Sequence, residues 1–488
     1  MIQFYLNGQP HSVDDAEPSL TILRYLRTSK GHLATKEGCA SGDCGACTVM
    51  VGDYQQGSWH YRSVNSCITL LASIHGKHLI TVEGLADTTQ AERLHPVQQA
   101  MVECHGSQCG FCTPGFVMSL VTADENNQHQ PLTEEQVLDA VSGNLCRCTG
   151  YRPIVDAALS CTTHAKNQAL FYQAEAPAPV ASADITTASG RTVFPTSEAE
   201  LLAAMADMPN ARLVAGGTDL LLEQTQAFKT LRHLIGISQV PELKAIQVED
   251  GRVAIGAAVT FSQMEASLAD TCPELIQLLH RVGSRQIRNQ GTLVGNIANA
   301  SPIGDSPPFL LTMDAELELA GASGRRLLPL DQFFLDYKKT ALQAGEYIRQ
   351  VIFNLPGDEV FVRAYKVSKR YEDDISAVLL VVRWQVVDGK FSDVRIAYGG
   401  MAAIPKRALA AEKGLTGAPA SEATIQAAMA AVDTEFTPMT DVRASANYRA
   451  TVAKNLLLKA WLEFSAGGQS ASVWQSPLVR EVSQSFGG

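Results

Sequence analysis

No run of basic residues occurs anywhere in the sequence. Its 39 Lys and Arg are scattered among 50 Asp and Glu, for a formal net charge of −11, so the electrostatic footprint of a nucleic-acid or anionic-membrane binder is missing. No apolar stretch approaches the roughly 20 residues of a membrane span. The run from Ala377 to Trp384 is of strand length and already contains Arg383. The opening residues, Met1 to Gly8, alternate apolar and polar like a strand, without a basic leader or a twin arginine. These absences lead to the expectation of a soluble, cytoplasmic protein that engages neither nucleic acid nor membrane. A G-x-G-x-x-G turn is also missing, which leaves a Rossmann dinucleotide fold without support. No internal repeat is visible.

What is present is length and cysteine. At 488 residues the chain exceeds one compact core and implies three or four domains at about 100–200 residues each. Residues 1–88 alternate strand-like runs (Ile2–Leu6, 48–51, 78–82) with Gly-rich loops and read as a small sheet domain. Residues 89–165 change to helical periodicity. Thr113-Pro114 supplies an N-cap before a first-turn proline, and Thr133 to Gln136 spells a capping box. Residues 166–190, with alternating Ala and Pro at 176–179, read as a linker tending to extended structure. Residues 191–358 mix short strands and helices. Residues 361–467 read as a separate α+β unit, with strands at 378–387 and 394–398 and helices at 424–432 and 444–461. A tail, 468–488, follows.

Eleven cysteines in a long chain without a signal peptide point to metal rather than disulfides. Cys39, Cys44 and Cys47 stand as C-x4-C-x2-C, with nineteen residues between Cys47 and Cys67, the plant-type ferredoxin spacing for a 2Fe–2S cluster. Such a loop must turn three thiolates inward. Gly38, Gly42 and Gly45 allow the close backbone approach this needs, leaving amide N–H groups free for the sulfurs. Four thiolates also suit tetrahedral zinc, although zinc sites usually pair their ligands on two separate knuckles. A second group follows as Cys109-x2-Cys112, 33 intervening residues, then Cys146-x-Cys148, at the ends of predicted helices where the dipole favours thiolate charge. Cys104, Cys161 and Cys272 fit no such pattern and read as buried or incidental thiols.

Downstream, Leu213, Val214, Ala215, Gly216, Gly217, Thr218, Asp219 and Leu220 form an apolar strand running into a Gly-Gly turn. Such a turn can present N–H groups and a hydroxyl to a pyrophosphate, and equally is often only a turn.

Gln108 to Gly115 together with Asn144 to Tyr151, and Gly38 to Val49 before them, resemble the two iron–sulfur motifs of the molybdenum hydroxylase family over residues 1–160. Leu213–Leu220 with Gly291–Asp305 is similar to that family's flavoprotein part. The resemblance implies an α+β multidomain fold: a β-grasp ferredoxin-like domain, a helical-bundle 2Fe–2S domain, a vanillyl-alcohol-oxidase-type FAD-binding domain and an α+β C-terminal flavoprotein domain. It implies that Cys39, Cys44, Cys47 and Cys67 hold the flavin-side cluster, and Cys109, Cys112, Cys146 and Cys148 the molybdenum-side cluster. FAD is then held by residues 213–220, Thr292, Gly295, Asn296, Asp305, Ile348 and Lys366; for Ile348 plain core packing is the alternative. Gln108 matches a position facing the partner's pterin, with a helix-end hydrogen bonder as the bland alternative. Lys369 to Asp374 matches a charged loop near the flavin, otherwise a solvated face, and Val282 stands where some relatives stack an aromatic on the flavin.

The implied function is electron transfer. Electrons pass from molybdopterin, carried only on a large partner subunit, through both clusters to FAD and on to NAD. No catalytic side chain beyond the redox cofactors is expected in this chain. A heterotetramer or larger assembly, with two copies of each chain, is implied. The fused iron–sulfur and flavin layout suggests a purine (xanthine or hypoxanthine) as the partner's substrate, with an aldehyde or N-heterocycle as runner-up. Outside that family, a free-standing electron carrier is the alternative.

Overall fold

A computed structural model describes residues 1–86, 94–128, 130–161, 175–177, 182–371 and 373–467. The first domain is a five-stranded sheet built from β1 (Ile2–Leu6), β2 (Gln9–Val13), β3 (Thr48–Gln55), β4 (Ser58–Asn65) and β5 (His78–Ile80), in the order β2-β1-β5-β3-β4. β1 runs parallel to β5 and antiparallel to β2, while β3 pairs antiparallel with both β4 and β5. In β1 the alternation of Ile2, Phe4 and Leu6 inward explains its register. β3 differs, because Val49, Met50 and Val51 are all buried. Val49 and Val51 join one core with Ile22 and Leu26, and Met50 joins another with Phe116 and Val121. Both faces of the strand are covered, so it reads as a continuous apolar run.

The second domain packs four helices, Pro96–Glu103, Thr113–Asn126, Glu134–Val141 and Arg152–Ser160. The capping box is present as expected: the Thr133 hydroxyl accepts from Gln136 N–H while the Gln136 side chain returns to Thr133 N–H. The expected Thr113 cap is not. Cys112 occupies the N-cap position and Thr113 is already helical, with no side-chain cap bond from Cys112. Pro114 therefore sits one position deeper than the first, where its missing N–H still costs nothing.

Part of the expected linker, 166–174 and 178–181, lies outside the described residues, as do 162–165 at the end of the expected helical domain. The end of the linker is structured, since β6 (Ala183–Thr187) pairs with β7 (Gly190–Phe194) inside the span read as linker. The alternation of Ala183 and Ile185 inward was too short to stand out against the polar residues around it. With β8 (Arg212–Val214) and β9 (His233–Gly236) these strands form a four-stranded sheet ordered β6-β7-β9-β8. A second sheet of the flavin region is antiparallel: β10 (Ile246–Glu249), β11 (Arg252–Gly256), β12 (Glu316–Gly321), β13 (Gly324–Pro329) and the long strand Glu346–Asn354 between β11 and β12. The C-terminal unit is a four-stranded antiparallel sheet carrying helices Leu409–Leu415, Glu422–Glu435 and Ala446–Ser465. Its strand Val378–Val387 turns Val378, Leu380, Val382 and Trp384 to those helices, and Leu379 and Val381 to the flavin-region core. Among the described residues no helix is long and apolar enough to cross a membrane.

Candidate functional site

The eight patterned cysteines gather into two groups of four. In the first group Cys47 Sγ lies 3.3 Å from Cys67 Sγ, and Cys39 bonds both Cys44 and Cys67. The hydrogen bond from Cys44, then that from Cys67, holds the Cys39 thiol far below its ordinary range. Cys67, bonded to Cys39 and Cys47, is pushed far up. In the second group Cys112 contacts Cys146 and Cys109 contacts Cys148. Among the described residues no three His, Cys, Asp or Glu surround a single ion. Four thiolates per group are what two bridged irons require, each iron taking two.

The loops around these sulfurs fit a cluster for a second reason. A Cβ at Gly38 would stand 2.9 Å from Cys44 Sγ, and Gly42 and Gly45 hold φ at +86° and +67°. Backbone N–H groups point at sulfur, with Ser41 N 3.4 Å from Cys39 Sγ and Thr149 N 3.4 Å from Cys146 Sγ. The second cysteine pair, expected at the end of one helix, also precedes another, Arg152–Ser160, and Tyr151 between them turns with φ +69° so that its hydroxyl oxygen accepts from Cys146 N–H at 3.0 Å. Cys104, Cys161 and Cys272 join neither group; burial pushes the Cys161 thiol up to about 12 and Cys272 to about 11.

The two groups abut. Leu145 N–H donates to Cys44 C=O at 3.0 Å, and the Asn144 amide donates to Gly45 C=O at 3.1 Å. Gln286, from the flavin region, donates to Asn144 Oδ1 at 2.9 Å, to Ser119 Oγ at 3.1 Å and to Thr48 Oγ1 at 3.3 Å. Three domains therefore meet in one buried polar knot. Its members carry no motif of their own, so sequence reading passed over Gln286 and saw Asn144 only as a neighbour of cysteine.

The expected flavin residues separate into two places. Val214, Ala215, Gly216, Gly217 and Thr292 line one cavity of about 70 Å³. Gly216 packs so tightly on the Gln290 carbonyl that a Cβ would collide with it, and Gly217 turns with φ +77°. Leu213 is half-buried against the flavin-region core, Leu220 packs on the ferredoxin-domain core, and Asp219 is exposed beyond half-buried Thr218. Thr292 caps Leu293–Ala298, its hydroxyl accepting from Gly295 N–H at 3.0 Å.

Asn296, Asp305 and Lys366 form the second place. Lys366 Nζ donates to Asp305 at 2.7 Å and to Arg281 C=O at 2.7 Å, and Ser306 donates to Asn296 at 2.7 Å. Ile348 is 4% exposed within the main core, and Val282 packs against the same core. The Gly-Gly turn and the polar pairs suit a dinucleotide bearing a polar ring. Arg62, Lys77, Asn289 and Gln290 also line the cavity. No sequence pattern marked them.

The charged loop leans on these sites. Arg370 N–H donates to Asp374 at 2.9 Å and the Arg281 guanidinium lies 4.5 Å over the Tyr371 ring. Burial, aided by the Asp43 carboxylate beside Cys44, pushes Asp373 up to about 7. Because the folded pKa exceeds the ordinary value of about 3.9, the folded state keeps a proton that the unfolded chain has lost. The stability it contributes is present below about pH 4 and is lost as pH rises through about 7. The thermal midpoint is therefore expected to fall between pH 5 and 8, and Asp373→Asn to flatten that fall; an unchanged slope in the variant removes Asp373 as its source.

Four family models cover the chain: "2Fe-2S iron-sulfur cluster binding domain" at 4–72, "[2Fe-2S] binding domain" at 81–159, "FAD binding domain in molybdopterin dehydrogenase" at 187–356 and "CO dehydrogenase flavoprotein C-terminal domain" at 363–464. The chain belongs to the molybdenum hydroxylase family. It matches the iron–sulfur and flavin portion of that family. Xanthine dehydrogenase of Oryza sativa subsp. japonica is 32% identical over 85% of this chain and 36% of its own length. Xanthine dehydrogenase/oxidase of Gallus gallus is 30% identical over 87% and 37%. The chain thus spans about a third of the length of these relatives. Among solved structures, carbon monoxide dehydrogenase of Hydrogenophaga pseudoflava is similar at 29% identity and TM-score 0.53, over 55% of this chain and 96% of that one. Quinoline 2-oxidoreductase of Pseudomonas putida 86 follows at 26% and 0.53, over 57% and 97%. For a molybdenum hydroxylase, 2Fe–2S and FAD chemistry is what these residues are built to hold.

Proposed function

We propose that this chain relays electrons between a molybdopterin site on another polypeptide and a nicotinamide, through two 2Fe–2S clusters and FAD, in xanthine or hypoxanthine hydroxylation. The clusters supply one-electron steps and the flavin converts them to hydride chemistry. The observation that carries the reading is the backbone bond from Leu145, next to Cys146, to the carbonyl of Cys44. It brings the two cysteine groups side by side, which supports a serial relay. On the far side of the first group, Gln226 of the flavin region donates to Cys39 C=O at 2.9 Å and to Ala40 C=O at 3.0 Å. These contacts support a relay in the order second group, first group, flavin motif.

The outer end of that series is open. Cys109 and Cys148 are exposed, as are Gln108, Phe111, Leu145 and Tyr151 around them. A thiolate group ringed by exposed apolar side chains suits a docking partner that brings the molybdenum site. The full-length relatives named xanthine dehydrogenase support the purine reading. A second reading, the same relay serving an N-heterocycle or carbon monoxide, is favoured by the solved structures named for those substrates.

The test is the visible spectrum of the anaerobically purified protein before and after NADH. Flavin and iron–sulfur bands that both bleach are expected. Bands that stay unchanged exclude nicotinamide as the redox partner and leave another acceptor.

A further inference from the structure

The knot around Gln286 stands between the two cysteine groups. Gln286 belongs to the flavin-region helix Arg285–Arg288 and is fully buried. Its three acceptors sit on three cysteine-bearing segments. Thr48 follows Cys47, Asn144 precedes Leu145 and Cys146, and Ser119 lies on the helix whose N-cap is Cys112. One side chain from a third domain therefore reaches the ligand-bearing segments of both groups.

The direction of these bonds is fixed by a group that can only accept. The Gly45 carbonyl takes the Asn144 amide at 3.1 Å, so Asn144 turns Nδ2 to Gly45 and Oδ1 to Gln286. Gln286 must then present Nε2, and its own Oε1 is left buried without a partner among the described residues. The fit is close, since a Cβ at Gly143 would stand 2.3 Å from that oxygen. A leucine or methionine would fill the same space without stranding an acceptor. A buried amide that leaves its own oxygen unsatisfied is explained by its donors rather than by packing.

What the donors hold is the junction between the groups. Asn144 and Leu145 are consecutive, as are Cys44 and Gly45. Leu145 N–H to Cys44 C=O at 3.0 Å and Asn144 Nδ2 to Gly45 C=O at 3.1 Å form adjacent rungs between the two loops. The second rung depends on which way the Asn144 amide faces, and Gln286 sets this together with the Ser119 hydroxyl, which donates to Oδ1 at 2.7 Å. The first rung links the segment of Cys146 to Cys44 itself.

We propose that Gln286 is a positioning residue for electron passage between the two cysteine groups. Through Asn144 it fixes the bond from Leu145 to Cys44, so the flavin region sets the coupling between two clusters that it does not ligate. The inference rests on the relay reading and names a residue that controls it. One electron leaves one cluster as the other gains it, and no further reactant enters the step.

The test compares the full chain as wild type, Gln286→Leu and Gln286→Met, the last keeping an unbranched side chain should leucine load iron poorly. Iron content and visible circular dichroism report whether both clusters are built. Hydrogen exchange in the peptide carrying Leu145 is expected to quicken about fivefold to tenfold in the variants, as loss of one net hydrogen bond predicts. In fully reduced protein at low temperature, electron paramagnetic resonance is expected to show each cluster signal of the wild type split by the other, and the splitting to shrink in the variants. Electrons are then put in at the flavin by a light flash with EDTA as donor, and followed by freeze-quench. In the variants the first cluster is expected to fill at the wild-type rate and the second to lag. A change confined to hydrogen exchange makes Gln286 structural only and overturns the proposal, as do variants that match the wild type or that both fail to load iron. A wild type lacking flavin or either cluster sinks the relay reading, and the proposal with it, before any variant is compared, so the wild type tells the two failures apart.

Discussion

Replacing Gly45 by alanine is expected to empty both cysteine sites, whereas replacing Gly38 empties only the first. Gly45 holds φ +67°, a conformation costing other residues about 1–2 kcal/mol. The larger effect is steric. A Cβ there would collide with the Gly143 carbonyl and stand 2.8 Å from the Asn144 Cγ, on the segment that leads into Cys146. The loop carrying Cys44 and the loop carrying Cys146 cannot then close on each other, and the bond from Leu145 to Cys44 is lost. At Gly38 the close neighbour of a Cβ is Cys44 Sγ, 2.9 Å away, within the first group alone. Iron per chain is expected to drop from about four to below two in Gly45→Ala, and to about two in Gly38→Ala. A Gly45→Ala protein that keeps the full iron of its second site would sink the argument.

The second large effect concerns Arg288, 1% exposed. Its guanidinium bonds Asp139 of the helical domain at 2.6 Å and the Gly283 carbonyl at 2.8 Å, and ion-pairs with Glu265 at 2.8 Å. Arg285 bridges the same two carboxylates. Arg288→Met leaves Glu265, 8% exposed, short of a partner in a buried place. Arg285 still pairs with both carboxylates, so the cost is expected to stay below the roughly 3–5 kcal/mol of stranding a buried charge outright. Adding Glu265→Gln is expected to recover part of that loss, because the stranded charge is removed. Chemical denaturation of Arg288→Met, Glu265→Gln and the double variant measures the coupling, and strict additivity would mean that the Arg288–Glu265 pair carries no energy.

The cysteine groups could be read in the sequence because each is a local spacing around turns, and the capping box at Thr133 because it spans one helical turn. The β1 alternation was legible for the same reason. What the sequence hid is long-range. Leu145 meets Cys44 and Gln286 meets Thr48 only after separate domains have packed, and nothing in the residues around them encodes the meeting. Thr113-Pro114 misled by one position, since a Thr before Pro serves equally as the first helical residue. β6 was lost in a small-residue stretch whose strand character comes from its pairing with β7. The polar wall of the cavity was invisible because Arg62 and Lys77 belong to a different domain from the turn they face.

The ferredoxin sheet is the middle layer of the molecule, and neither of its faces is its own. Met50 and Ile80 complete the helical domain's interior, while Val49 and Val51 share an interior with Ile185, Phe194, Val214 and Leu234 from beyond residue 181. Severing the chain within 162–181 would therefore yield not two independent modules but two fragments that each display a hydrophobic face shaped to the other. They should be recovered as a complex when co-expressed and aggregate when made apart. Heating should melt the ferredoxin sheet and β6–β9 as one cooperative unit that disregards the boundary between the two domains.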